Sequence, residues 1–79
     1  MDRSALDRAL LDAHAAGDAS ALIQLYTLAA DRAETRDDDD AACFYLTHAF
    51  VFALEAAAPQ APVLNTRLAQ KGRSHPMTF

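Results

Sequence analysis

Apolar residues recur along this chain at helical intervals. Leu6, Leu10, Leu11 and Ala13 make one face over positions 4–16, following the spacing of an amphipathic helix. Leu22, Leu25, Tyr26, Ala29, Ala30 and Ala33 repeat that spacing over 18–35. Positions 40–57 behave differently, because Phe44, Leu46, Phe50, Val51, Phe52 and Leu54 leave almost no polar face. A helix that is apolar around its circumference must be covered on most sides. Val63, Leu64 and Leu68 then mark a fourth helix over 62–71. The pattern predicts an all-α fold, a four-helix antiparallel array forming a single helical domain over 1–72. Residues 73–79 carry no periodicity and are read as a mobile C-terminal tail.

The breaks between these segments have their own chemistry. Ser4 is placed to cap the first helix, with Asp7 three positions on. Gly17 is placed to end it, and Asp18 to cap the second. Asp31, Arg32, Glu34 and Arg36 predict a solvated last turn for the second helix. The run Asp37, Asp38, Asp39, Asp40 reads as a turn plus N-cap, because acids are favoured where the helix macrodipole is positive. An EF-hand would need alternating oxygen ligands, a central Gly and a terminal Glu, and the run has none of these. Pro59 is placed to end the third helix and Pro62 to open the fourth. Arg67 and Lys71 suit the negative end of that helix, and Gly72 is placed to stop it.

Composition narrows the picture. The chain has 79 residues, 52% of them hydrophobic, with two Gly and three Pro. Ala dominates, which favours helix over strand and disorder. A net charge of −4 argues against nucleic acid as a partner, since that requires a field of Lys and Arg. One cysteine permits no internal disulfide and points to a reducing, cytoplasmic setting. The first residues lack the basic-then-apolar order of a secretory signal. The uncharged run 41–54 is short for a span of about 20 apolar residues, so no membrane is expected.

Candidate chemistry is sparse. Cys43 falls in the first turn of the third helix, but the aspartates before it oppose a thiolate, so it is read as packing. His14 is read as a cation at a helix C-terminus, and His48 as a hydrogen-bonded, half-buried residue. Cys43 and His48 are not on one helical face, and no zinc-ligand spacing is present. Asp7 with Asp12, and Asp31 with Glu34, are read as solvated carboxylates. No catalytic, cofactor or metal site is expected. The aromatic group Phe44, Tyr45, Phe50 and Phe52 has two readings: core, or a cluster with one edge, Tyr45, His48 and Phe52, exposed as a binding anchor.

Ala15, Ala16, Ala19 and Leu22 recur as Ala57, Ala58, Ala61 and Leu64, an offset of 42 positions within the range of helical repeats. The order Ala15, Ala16, Gly17, Asp18, Ala21, then Leu25 and Tyr26, then Asp39, Ala42, Phe44, Tyr45 and Ala49 resembles the Sel1-like branch of the tetratricopeptide-type repeats. The likeness covers residues 13–57, one unit with a half-unit on each side. In place of that family's Gly-rich interhelical loop stand Arg36 and the four aspartates. The stretch 44–56 also resembles small bacterial helical proteins of similar length. The resemblance implies tetratricopeptide-like hairpins that tether proteins. With the apolar excess of the third helix, the expected role is a non-enzymatic interaction module or small adaptor, joining a protein partner or a second copy through Phe44, Tyr45, His48 and Phe52. The alternative is a small acidic regulator or inhibitor that grips a basic surface with Asp37, Asp38, Asp39 and Asp40.

Overall fold

A computed structural model of the chain describes residues 2–71. Four helices follow one another: α1 (Arg3–Ala16), α2 (Ala19–Thr35), α3 (Asp39–Glu55) and α4 (Ala61–Gln70). No strand occurs among the described residues. The all-α array read from the spacing is therefore the observed fold. Gly72 and residues 73–79 lie outside the described part.

Three aspartates start three helices. Asp2 Oδ1 accepts the Ala5 N–H at 2.7 Å, Asp18 Oδ1 that of Ala21 at 3.1 Å, and Asp38 Oδ1 that of Ala41 at 3.1 Å. Each satisfies one N–H that the helix itself leaves unbonded. Asp2, not Ser4, caps α1, and Ser4 lies inside the first turn. Both residue types cap well, and the earlier one gains an extra stretch of helix. Helix α4 has no side-chain cap and carries Pro62 in its first turn, where a missing N–H costs nothing.

The three reversals share one backbone design. Gly17, Asp37 and Ala57 each adopt a left-handed conformation, with φ of 65°, 57° and 51°. The N–H of the following residue reaches back to Ala13, Ala33 and Ala53 carbonyls, at 3.0, 2.9 and 2.8 Å. A second bond runs from each left-handed residue to His14, Glu34 and Leu54. This is the Schellman closure, repeated every 20 residues (17, 37, 57). Consequently α3 ends at Glu55, ahead of Pro59. Ala58 precedes a proline and is disfavoured in helical geometry, so the chain turns before reaching it. The 42-position echo pairs unequal places: Ala57 matches Gly17, not Ala15.

Backbones approach closely only between consecutive helices, α1 with α2, α2 with α3, and α3 with α4. The principal extents are 35 × 29 × 14 Å. Three interaxial steps of about 8–10 Å account for the longest, and a 17-residue helix of roughly 26 Å for the second. The third exceeds the ~4.6 Å Cα diameter of one helix, so the row is staggered. Side chains of α1 thereby reach α3, and those of α4 reach α2.

The seam between α2 and α3 is built from small residues. Ala30, Ala33, Ala42, Ala49 and Ala53 are fully buried, and Leu46 is the largest side chain with no exposure. Alanine lets the helices come close, and interiors tolerate few voids. Leu22, Ile23, Leu64 and Leu68 fill the flanks of this cluster, and Cys43 is buried among them.

Candidate functional site

Successive residues of α3 are rotated by about 100°. That rotation gathers Ala42, Ala49, Ala53, Leu46 and Cys43 on the buried side. Opposite them, Phe44, Val51 and Leu54 are 57%, 43% and 41% exposed. Three large apolar side chains of the helix thus stand outward, while the seam takes mainly the small ones. Thr47, His48, Val51, Phe52 and Glu55 frame an open depression of about 330 Å³ on this side.

Between the two sides lie Tyr45, His48 and Phe52, each half-buried. They surround Tyr26 of α2. His48 and Phe52 stack on its ring at centroid distances of 5.0 and 5.9 Å, and Tyr45 lies tilted at 6.3 Å. His14 of α1 meets Tyr26 edge-on at 5.9 Å and Phe52 at 5.7 Å. Phe44 extends the group outward, 4.4 Å from His48 and 5.5 Å from Tyr45. Offset and edge-on rings gain beyond their buried area, so this face is held stiffly.

Two hydrogen bonds fix the imidazoles. His14 Nε2 is 2.9 Å from the Tyr26 hydroxyl, and His48 Nδ1 is 2.9 Å from the Phe44 carbonyl. A carbonyl only accepts, so Nδ1 of His48 carries the proton there. Burial, with the neighbouring Tyr45, pushes the Tyr26 hydroxyl above its ordinary value.

The structure therefore brings Phe44, Tyr45, His48 and Phe52 into one cluster. The spacing on α3 alone did not reveal that Tyr26 and His14 complete it. His14, expected as a helix-end cation, is committed to the Tyr26 hydroxyl. The aspartates do separate jobs. Asp37 takes the left-handed turn position, and Asp38 caps α3. Asp39 lies 3.4 Å from Lys71 Nζ, and Asp40 has an interaction of its own. Asp40 stands one turn before Phe44, so the acidic run borders the apolar face.

On the other edge, charges join α4 to α2. Arg67 Nη2 lies 2.7 Å from Asp31 and 2.8 Å from Glu34, and Lys71 Nζ lies 2.8 Å from Glu34. The Lys71 hydrogen bond, reinforced by Arg67 and opposed by burial, holds the Glu34 carboxyl below its ordinary range. The last turn of α2, expected to be solvated, is thus partly engaged by α4. The partners lie more than thirty positions away in sequence, where helical periodicity gives no signal.

Among the described residues, no group of three or more His, Cys, Asp or Glu side chains is arranged to hold a metal ion. No helix there is long and apolar enough to cross a membrane. The chain matches no family model, no curated protein and no solved structure.

Proposed function

We propose that this chain is a non-enzymatic protein–protein interaction module that docks its partner on the outer face of α3. The observation that carries this reading is the exposure of Phe44, Val51 and Leu54 on a helix with little polar face of its own. Aromatic anchors on a stiff support are the usual centres of binding energy, and ring packing around Tyr26 supplies the stiffness. The nearest-neighbour order of the helices supports the tetratricopeptide-like likeness, and such arrays present side-chain faces to partners. The acidic border at Asp40 favours a basic flank on the partner. The acidic-regulator reading has less behind it, because Asp38 is occupied in capping and Asp39 by Lys71. In this reading the module is cytoplasmic, and its partner is an amphipathic helix or a second copy.

The test compares the wild type with Phe44→Asp, a substitution at an exposed position that leaves the seam intact. Light scattering over a concentration series reads self-association. Selection of displayed amphipathic helices on the wild type, with counter-selection on the variant, reads helix binding. Circular dichroism checks that the variant stays helical. We expect at least one of the two associations, lost in the variant. A monomeric wild type, with no peptide telling it from Phe44→Asp, overturns the proposal.

A further inference from the structure

The depression on the outer face of α3 has the form of a socket for one side chain of a facing helix. His48, Val51, Phe52 and Glu55 line it, at positions i, i+3, i+4 and i+7. Residues at those intervals are neighbours on one helical face. Four such neighbours form the hole that receives a knob when two helices pack. Phe44, His48, Val51 and Glu55 continue the pattern along the helix, spaced four, three and four apart, the alternation of a two-helix seam. Phe52 is stacked on Tyr26, so one wall of the hole is rigid.

Charge decides what fills it. Glu55 is the last residue of α3, at the negative end of the helix dipole, where an acid is disfavoured. The last turns of α1, α2 and α4 hold His14, Arg32 and Arg67, whereas that of α3 holds no basic residue. No ion pair of Glu55 is found among the described residues. The socket therefore ends in an uncompensated negative charge.

Pairing α3 with its own copy does not relieve that charge, because α3 contains no Lys or Arg. A parallel copy sets Glu55 beside Glu55. An antiparallel copy with the seam fully overlapped sets it beside Phe44, where a carboxylate loses water and gains no partner. Sliding that copy until His48 meets Glu55 leaves an overlap of 48–55 alone, about two turns, with Phe44 uncovered. The net charge of −4 adds repulsion between copies at longer range.

We infer that α3 is covered by a helix of another protein, which seats an apolar side chain in this hole and sets a Lys or Arg, one turn away, against Glu55. This occupant presupposes the docking role proposed for the outer face of α3. A cation there answers both the carboxylate and the helix end behind it.

A displayed library of amphipathic helices, apolar at the seam positions and varied among Lys, Arg, Glu, Asp, Gln and Ala beside them, is selected separately on the wild type and on Glu55→Lys. A Lys suits that helix end, so the variant is expected to fold, and circular dichroism checks it. Peptides from the wild type are expected to share a Lys or Arg one turn from an apolar anchor. Those from Glu55→Lys carry Asp or Glu at the same place. Glu55→Lys weakens binding of a wild-type peptide about tenfold, equivalent to ~1.4 kcal/mol, and exchanging that peptide's cation for Glu restores it to within about threefold. Asp12→Lys, the same reversal at an exposed position of α1, changes affinity about twofold or less, since distant charges are screened. Peptides that lose Phe44→Asp yet bind Glu55→Lys as well as the wild type overturn the cation at Glu55 and leave the docking face standing. A dimer that Phe44→Asp dissolves and no peptide displaces makes the occupant a second copy, with the same consequence. Equal loss in Asp12→Lys and Glu55→Lys reduces the effect to overall charge and overturns it too. A monomeric wild type, with no peptide that tells it from Phe44→Asp, overturns the docking role itself.

Discussion

The two outer helices are fastened to the α2–α3 hairpin by opposite chemistry. Helix α1 buries only Leu6 and Ala13 along its 14 residues and relies on His14, lodged against Tyr26 and Phe52. Helix α4 buries Ala61, Leu64, Asn65 and Leu68 within 10 residues and adds the ion pairs of Arg67 and Lys71. The first attachment is made of ring faces and one hydrogen bond, and salt leaves it nearly unchanged. The second contains charges near the surface, which salt screens and acid removes. A row of helices whose backbones approach closely only between neighbours lets its two ends respond separately, because stability in such arrays is close to a sum of local terms.

The largest disturbance strikes what both ends rest on. Leu46→Ala empties the centre of the seam and is expected to cost about 2–5 kcal/mol, read as a lower denaturation midpoint. Both outer helices then lose amide protection together. Release of one alone would show that the hairpin is not their common support.

Tyr26→Phe acts on one side only. It deletes the hydroxyl bonded to His14 and is expected to cost about 1 kcal/mol. Hydrogen exchange in α1 quickens while α4 is unaffected; equal acceleration in both would erase the distinction between them.

Glu34→Gln is the smallest change and the mirror image. Exposed ion pairs contribute about 1 kcal/mol or less, so α4 loosens slightly and α1 does not. The same pairs set a pH dependence. The Glu34 carboxyl is lowered in the folded chain from an ordinary value of 4.5. Its stabilising effect is therefore complete above that value and disappears as pH falls through the lower folded one. Exchange in α4 is expected to rise across that acid window in the wild type and to change less in Glu34→Gln.

Much of this arrangement was legible in the chain. The spacing of Leu22, Tyr26 and Ala33 gave α2, the aspartates marked the starts of α2 and α3, and Gly17 announced its turn. Asp37 and Ala57 did not, because neither is the residue that takes a left-handed conformation without strain. The spacing therefore carries α3 to 57, two residues beyond its end at Glu55. For the candidate surface, the aromatic spacing on α3 revealed Phe44, Tyr45, His48 and Phe52. Their organiser, Tyr26, belongs to another helix, and its role depends on how the hairpin closes. The ion pairs of α4 were hidden for the same reason. Helical periodicity reports faces, and only packing decides which faces meet.

The three equal turns have a consequence for the length of the molecule. Each reversal opens with the same backbone closure at the same interval, while two, three and five residues separate the successive helices. Duplicating or deleting residues 18–57 moves whole hairpins and leaves the remaining junctions in register. Such a chain grows or shrinks in units of two helices, keeping the same backbone closure at each junction while the side chains that meet across it change.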